Sequence, residues 1–373
     1  MDGFQLTLWR KCPALAIVAI SITDLLLPRG DVVSGLLAVA PLLATSVSVG
    51  PLGSALYGLA AVVDAVLLGM WDRAYASGAL PAQLVRLTTL AATAVLAVIL
   101  GRLRQRHEQQ LARMVRVAET AQRAILVQVP DRLGPARIAV HYESAASDAL
   151  VGGDLYGTVL TPFGLRVLIG DVRGKGLEAV RMTALVLAAF RERASDHPDL
   201  AVLMDQLDRA VARCAGEEDF VTALLVQIAD DGTATLANAG HPWPYLVHDG
   251  HADQFAPGLP RAPLGFGGAA KISQLTLSVS DRLLLFTDGL TEARDARHRR
   301  FLPTSIITTT LIGHAEVEDG VAALRDAVLQ WSGGTLHDDI ALVLVEYRPR
   351  SRTGQGPADP WRARQESALA PPG

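Results

Sequence analysis

Four aspartates share one local setting, in which an acidic residue stands beside glycine or a second aspartate at the end of an apolar segment. They occur in the segments Gly152-Gly153-Asp154, Gly170-Asp171-Val172, Thr287-Asp288-Gly289 and His337-Asp338-Asp339. Glycine permits tight backbone turns, so carboxylates from several strands can converge. Converging carboxylates repel one another, and a hard divalent cation that prefers oxygen ligands relieves this repulsion. A single Asp-Gly pair is usually only a turn, so spacing alone leaves a Mg²⁺ or Mn²⁺ site as one interpretation.

The elements that carry these acids alternate between short strands and helices. Apolar, β-branched segments bounded by Gly, Pro or Asp predict strands at 137–142, 155–160, 165–169, 221–228, 234–237, 244–247, 275–279, 282–286 and 340–346. Helical patterns cover 177–195, 199–215 and 318–331. Several turns are too short to contain a crossover helix, which favours antiparallel pairing. The pattern predicts an α+β layered sandwich rather than a doubly wound fold.

Other chemistries find little support in the sequence. The two cysteines, Cys12 and Cys214, exclude a disulfide scaffold and a cysteine-based zinc site. A formal net charge of −4 argues against nucleic-acid binding. The glycine-rich segment 170–176 lacks the Gly-Lys-Ser/Thr ending of a phosphate-binding loop, which argues against an ATPase. His241 could act as a general acid or only shape its loop, and the same alternatives hold for His337.

Seven segments, taken in order, resemble the bacterial phosphatases of the stage II sporulation protein E family, a branch of the metal-dependent type 2C serine/threonine phosphatases. These segments are Val151-Gly-Gly-Asp-Leu-Tyr156, Gly170-Asp-Val-Arg-Gly-Lys-Gly176, Phe220-Val-Thr-Ala223, Asn238-Ala-Gly-His-Pro242, Pro263-Leu-Gly265, Phe286-Thr-Asp-Gly-Leu-Thr-Glu-Ala-Arg294 and His337-Asp-Asp339. The resemblance covers about residues 118–347. It implies an α-β-β-α sandwich of two antiparallel sheets with two Mn²⁺ or Mg²⁺ ions at one end.

The resemblance also assigns roles residue by residue. Asp171 corresponds to the ligand that bridges the two ions, and a metal-bridging hydroxide is the implied nucleophile. Asp339 corresponds to a supporting residue, although the choice between Asp338 and Asp339 is uncertain by one position. Arg173 and Lys175 are candidates for contacting the substrate phosphate. The implied catalytic groups are the carboxylates of Asp154, Asp171, Asp288 and Asp338, and the implied metal site also includes the backbone carbonyl of Val172 and Asp339.

One position departs from the family pattern, which usually reads Gly-Gly-Asp-x-Tyr-Asp. Position 157, where the second acid is expected, is Gly157. The expectation is that this acid supports a metal-bound water, so its loss would weaken metal affinity and Gly157→Asp would strengthen it. The four principal acids remain, which favours an active enzyme.

The resemblance implies a phosphatase that removes phosphate from serine or threonine of a cytoplasmic regulator, expected to be an anti-sigma-factor antagonist. The alternative is a catalytically weakened membrane receptor whose domain binds a partner without turnover. A transporter is disfavoured, because the apolar region shows neither a charge network nor paired broken helices.

The apolar residues are concentrated in the first 101 positions, which contain only ten charged side chains. Four runs there approach the ~20 residues that a membrane-spanning helix needs: 12–27, 32–49, 52–71 and 84–100. The region is therefore predicted to be an all-α membrane domain of about four spanning helices in contact with lipid. Basic residues flank both ends, so both ends and the phosphatase domain are expected in the cytoplasm. No signal-peptide cleavage site follows the first run.

Two further segments complete the predicted organisation. Residues 102–128 read as one helix with an apolar stripe that includes Leu111, Ala118 and Ile125. This linker helix could cap the phosphatase domain of residues 129–347, or pair with a second copy in a homodimer that carries a signal. Residues 348–373 are rich in Pro, Gly, Arg and Ser and are predicted to be disordered. Asp64 lies inside the third run, where a carboxylate could serve in sensing or coupling or could pack between helices.

Overall fold

The computed structural model describes residues 11–27, 34–46, 50–76, 79–126, 128–144, 152–216, 218–297, 299–336 and 338–349. The chain divides into two compact units, residues 1–113 and 114–373. The predicted disordered tail lies outside the described residues, apart from its first two positions.

The first unit is helical. Its elements are α1 (Cys12–Leu26), a 3₁₀ helix (Ser34–Ala38), α2 (Val39–Ser46), α3 (Gly50–Trp71) and the first part of α4 (Leu80–Ile125). Within the described residues, two helical stretches are long and apolar enough to cross a membrane by length and composition, Gly50–Trp71 and Leu80–Met114. The first two apolar runs form shorter helices, so the expected number of four spans remains a prediction.

Small and polar residues bring the helices of this unit together. A Cβ atom on Gly58 would lie 2.7 Å from the Cβ of Ala94, so α3 and α4 are close enough to require glycine there. The buried Gln83 side chain donates a hydrogen bond to the carbonyl of Ala65 at 3.2 Å. Asp64 accepts a 2.5 Å hydrogen bond from the hydroxyl of Ser21, which joins α3 to α1. The carboxylate that the sequence singles out therefore has a partner on a neighbouring helix.

The second unit contains eleven described strands in two antiparallel sheets. The strands are β1 (Arg132–Leu133), β2 (Ala136–Glu143), β3 (Asp154–Thr161), β4 (Gly164–Val172), β5 (Val221–Ile228), β6 (Thr233–Ala239), β7 (Tyr245–His248), β8 (His251–Gln254), β9 (Ile272–Thr276), β10 (Arg282–Phe286) and β11 (Ile340–Tyr347). Sheet A has the order β1-β2-β11-β10-β7-β8, and sheet B has the order β3-β4-β5-β6-β9. The nine predicted strands are present, with ends that agree or are shifted by at most three residues.

Helices cover the outer face of each sheet. They are α5 (Leu177–Arg193) and α6 (Leu200–Ala212) on sheet B, and α8 (Thr304–Gly313) and α9 (Val317–Ser332) on sheet A, with a short α7 (Asp288–Thr291) after β10. One apolar core fills the space between the two sheets. A second core lies between sheet B and its helices, and a third lies between sheet A and its helices. This layering confirms the predicted α-β-β-α sandwich.

Four elements of this unit were not predicted from the sequence: the two-residue β1, the four-residue α7, and β8 and α8. Strand β8 is four residues long and has one buried side chain, Ala252. The alternation of apolar and polar residues that predicts a strand is therefore too short to recognise in its sequence. Helix α8 is rich in Ile and Thr, which usually favour strands. It is helical because Ile307 and Leu311, spaced by four, are buried against sheet A.

Candidate active site

The strand register brings the predicted acids to one end of the sandwich. Asp154 opens β3 and lies directly opposite Asp171, near the end of the antiparallel strand β4. In sheet A, Asp288 follows the end of β10, and Asp338 and Asp339 precede the start of β11, its antiparallel neighbour. The hydroxyl of Thr287 donates a 2.7 Å hydrogen bond to Asp154 and so joins the two groups across the sheets.

Glycines make room for oxygen atoms at this end. A Cβ on Gly153 would lie 2.2 Å from the carbonyl oxygen of Val172 and 2.7 Å from Oδ1 of Asp171. A Cβ on Gly152 would lie 1.5 Å from Oδ2 of Asp339. Any larger residue would therefore displace the acids, which explains the paired glycines before Asp154. The carbonyl of Val172 and the carboxylate of Asp171 face the same small space, a cradle of hard oxygen donors.

The two neighbouring acids at positions 338 and 339 have different surroundings. Asp339 is buried and accepts hydrogen bonds from the hydroxyls of Tyr142 at 2.9 Å and Ser144 at 3.0 Å. Asp338 is about half exposed and pairs with the ammonium of Lys175 at 3.0 Å. Asp339 is thus fixed by the protein, whereas Asp338 faces the open side of the cluster.

Burial and mutual repulsion destabilise the ionised forms of these acids. Burial, followed by the charges of Asp288, Asp338 and Asp339, raises the pKa of Asp171 to about 7. Burial and the charge of Asp171 raise the pKa of Asp154 well above its usual range. The pKa of Asp288 is also raised, by burial and then by Asp338. Asp171 interacts electrostatically with each of the other four acids. The charges of Asp288, Asp338 and Asp339 raise its pKa, and its own charge raises the pKa of Asp154.

The donor set fits a hard divalent cation in its chemistry. The candidate ligands are side-chain carboxylates and one backbone carbonyl. A cation bound among them would relieve the repulsion between their negative charges. Among the described side chains, no three His, Cys, Asp or Glu residues already surround a single ion position. Two of the acids instead contact other groups, the Thr287 hydroxyl on Asp154 and the Lys175 ammonium on Asp338. An ion bound through Oδ1 of Asp338 would displace the Lys175 ammonium from that oxygen.

His241 is positioned as a structural link. Its ring is buried, with Nδ1 2.9 Å from the Thr222 hydroxyl and Nε2 3.0 Å from the carbonyl of Phe286. Burial lowers the pKa of His241 to about 3. The neutral ring therefore donates from Nε2 and accepts from Thr222, which favours the loop-shaping role over a general acid. His337, the other candidate, lies outside the described residues.

The two cations of the segment 170–176 have different partners. The Arg173 guanidinium lies 3.1 Å from the carboxylate of Glu218 and 5.6 Å from the ring centre of Phe220. Lys175 contacts Asp338, and this hydrogen bond raises its pKa. Lys175 is therefore beside the acids, and Arg173 points toward an aromatic surface next to them.

The expectation for Gly157 is wrong. A Cβ on this residue would lie 3.2 Å from Cδ2 of Leu187 and 3.5 Å from the ring of Phe190, both on α5. Side chains alternate along a strand, and residue 157 shares the face of Leu155, opposite to that of Asp154. A carboxylate at 157 would enter an apolar core rather than the acid cluster, so its absence removes no ligand.

Sequence reasoning missed four groups that hold the acids in place, the side chains of Tyr142, Ser144, Thr287 and Gln122. Tyr142 and Thr287 bind carboxylates, and the buried Gln122 of α4 donates to the carbonyls of Gly152 at 3.2 Å and Asp154 at 3.5 Å. Thr287 lies within the motif of residues 286–294, next to Asp288, so the sequence contained a signal for its role in the site. Tyr142 and Gln122 lie far from the acids in sequence and carry no such signal.

A family model described as stage II sporulation protein E matches residues 161–348, half of the chain. The chain belongs to this family. A phosphoserine phosphatase, RsbU of Bacillus subtilis (strain 168), is 26% identical over 203 residues. That match covers 52% of this chain and 59% of RsbU, so the chain spans less than two thirds of its curated relative.

Solved structures agree on the fold. The RsbU and RsbW domains of Rv1364c from Mycobacterium tuberculosis are 26% identical with a TM-score of 0.50, covering 58% of this chain and 61% of that one. The SiaA-PP2C domain of Pseudomonas aeruginosa is 22% identical with a TM-score of 0.52, covering 66% of this chain and 98% of the domain. The second similarity supports the type 2C phosphatase fold alone.

Proposed function

We propose that residues 129–347 form a protein phosphatase that hydrolyses phosphoserine or phosphothreonine in a protein substrate. The observation that carries this proposal is the acid cluster at one end of the sandwich, where paired strands and glycines expose a cradle of oxygen donors. The similarity to the phosphoserine phosphatase RsbU supports the reaction class. The fold itself accommodates many functions, so the site carries the argument.

Two Mn²⁺ or Mg²⁺ ions are the proposed cofactors. When bound, such a pair supplies an activated water and neutralises charge on the phosphoryl group. Asp171 is the proposed shared ligand, as the family resemblance implies, and it lies opposite Asp154 in the strand register and beside the Val172 carbonyl. Asp154 and the Val172 carbonyl would hold one side, and Asp288 and Asp338 the other. Asp339 would keep its Tyr142 and Ser144 hydrogen bonds and orient its neighbour.

The substrate is proposed to be a phosphorylated cytoplasmic regulator of the anti-sigma-factor antagonist class. Support comes from the relative named RsbU and from the Mycobacterium tuberculosis protein in which RsbU and RsbW domains occur together. Lys175 beside Asp338 is a candidate contact for the substrate phosphate once it leaves that carboxylate. The competing receptor without turnover loses its main support, because Gly157 faces an apolar core.

The proposed location is the cell membrane, with several spans in lipid and the phosphatase domain in the cytoplasm. Two helices of sufficient length and apolarity support an anchor of this kind. A homodimer through the linker helix remains an alternative to a helix that caps the domain. The last turns of α4 support capping, since Ala121 and Ile125 pack against Val180 of α5.

The decisive experiment uses the full-length protein in lipid nanodiscs and p-nitrophenyl phosphate. Hydrolysis should require Mn²⁺ or Mg²⁺, cease in excess EDTA and return when the ion is restored. Asp171→Asn should cost more activity than Asp339→Asn, because the first change removes a shared ligand and the second a supporting group. Full activity in excess chelator would overturn the metal-dependent proposal.

A further inference from the structure

An exposed aromatic surface lies beside the acid cluster, and the proposed mechanism does not use it. This surface, the aromatic ledge, consists of Phe220, Phe266 and Arg173. The two phenylalanine rings are 5.4 Å apart between centres, and the Arg173 guanidinium lies over Phe220. Phe266 is 57% exposed. A large exposed ring is common by itself, but here it joins a second ring and a cation at the edge of a candidate active site.

The loop that presents Phe266 is held rigidly. One carboxylate oxygen of Asp208 on α6 accepts hydrogen bonds from the amides of Gly265 at 2.9 Å and Gly267 at 3.3 Å. The buried Arg261 forms ion pairs with Asp208 at 3.0 Å and Asp205 at 3.1 Å. Residues on both sides of the exposed ring are therefore fixed to α6.

Backbone hydrogen bonds at Leu264 add to this rigidity, and two glycines allow the turn that follows. Gly265 and Gly267 have φ angles of +106° and +72°, which other residues rarely adopt. Leu264 exchanges two backbone hydrogen bonds with Val221, of 3.1 and 2.8 Å. Because the loop is fixed before any partner arrives, contact with Phe266 requires little further ordering of the protein.

The ledge is within a few residues' reach of the acids. Thr222 of β5 is the register partner of Asp171, and Phe220 lies two residues before Thr222, about 7 Å along an extended chain. The amide of Arg173, two residues after Asp171, donates to the carbonyl of Phe220 at 3.0 Å. A peptide whose phosphorylated side chain enters the acid cluster would therefore place a residue about two positions away over the ledge.

We propose that the aromatic ledge binds an apolar side chain of the protein substrate, located about two residues from the phosphorylated serine or threonine. This inference rests on the proposed phosphatase function and adds a determinant of substrate choice. A small phosphoester has no group that reaches the ledge, whereas a polypeptide does. Arg173, whose guanidinium is paired with Glu218, borders the Phe220 ring and completes the ledge.

The test compares two phosphoserine heptapeptides, using the full-length protein in nanodiscs with Mn²⁺. One peptide has alanine at every other position, and the second has leucine two residues to each side of the phosphoserine. The wild type should hydrolyse the leucine peptide with a kcat/KM about five-fold higher. Phe266→Ala should reduce this ratio to about one, and Phe266→Leu should keep most of it. Because each variant is its own reference, the ratio does not depend on the fraction of active enzyme.

The matched control is Leu259→Ala, which removes another exposed apolar side chain of the same loop, 83% exposed. It should leave the leucine preference and the hydrolysis of p-nitrophenyl phosphate unchanged. An unchanged preference in Phe266→Ala, or no preference in the wild type, would overturn the ledge inference alone. Absence of all hydrolysis by the wild type, including p-nitrophenyl phosphate, would overturn the proposed function and the inference with it.

Discussion

Replacing Asp171 with asparagine should stabilise the metal-free protein while abolishing its activity. Burial and three neighbouring carboxylates raise the pKa of this residue to about 7 from a model-peptide value near 3.8. An acid whose pKa is higher in the folded state binds more protons when folded, so folding stability falls as the pH rises between these two values. The shift of about three units corresponds to at most about 4 kcal/mol of stability lost above pH 7.

Asparagine removes that loss because it has nearly the same shape and no charge. The gain should therefore be largest at pH 8 and should become small near pH 4, where the aspartate is protonated in the folded state and about half protonated in the unfolded state. A gain of 2 kcal/mol in a domain of this size raises Tm by about 4–8 °C. Mn²⁺ should stabilise the wild type by mass action and should have a much smaller effect on the variant.

The assay is thermal unfolding of the full-length protein in nanodiscs with EDTA, at several pH values between 4 and 8, followed by tryptophan fluorescence. Asp253→Asn, a change at an exposed residue of β8, is the matched control and should shift Tm by less than about 1 °C. A lower Tm for Asp171→Asn at pH 8, or a gain independent of pH, would refute the electrostatic reasoning.

Three further predictions concern single side chains. Gly157→Asp should lower Tm by more than about 5 °C without strengthening Mn²⁺ activation, since it buries a carboxylate among apolar side chains; a lower Mn²⁺ half-saturation would contradict this. Gln122→Ala should raise the Mn²⁺ half-saturation concentration several-fold because the Asp154 loop loses its donor, whereas exposed Gln110→Ala should not; equal effects would show that Gln122 only packs. Arg166→Met should lower the stability of the folded protein by about 3 kcal/mol, because three backbone carbonyls lose their hydrogen-bond donor. The measurement is Tm, with the exposed Arg181→Met as the control, and an unchanged Tm for Arg166→Met would contradict the prediction.

The layers of the fold were predictable because strand and helix periodicities are local properties of the sequence. Strands such as β5 and β10 show buried apolar residues between clear turn signals, and their bounds agree with the prediction. The order of strands within each sheet was not predictable in this way. It depends on which edges meet in space, as when β2, near the start of the domain, pairs with the last strand, β11.

The acids of the site could be identified from sequence, but their individual environments could not. Asp338 and Asp339 are adjacent and chemically identical, yet one faces Lys175 and the other is fixed by two hydroxyl groups. The expectation for Gly157 failed for a related reason. A motif gives the spacing of residues along the chain, whereas the strand's alternation decides which face each side chain occupies.

Helix α4 continues through the point near residue 101 where the amino-acid composition changes from apolar to amphipathic, and its last turn is part of the candidate site. The sequence separates an apolar run ending near residue 100 from an amphipathic helix that follows it, and the structure has one continuous helix from Leu80 to Ile125. Near its end, Gln122 binds the carbonyl groups on either side of Gly153, whose missing side chain leaves space for Asp171 and Val172. Rotation of this last turn would withdraw the amide from both carbonyls. The linker helix thus supplies one of the groups that hold the Asp154 loop, and its orientation is a structural condition for the oxygen cradle.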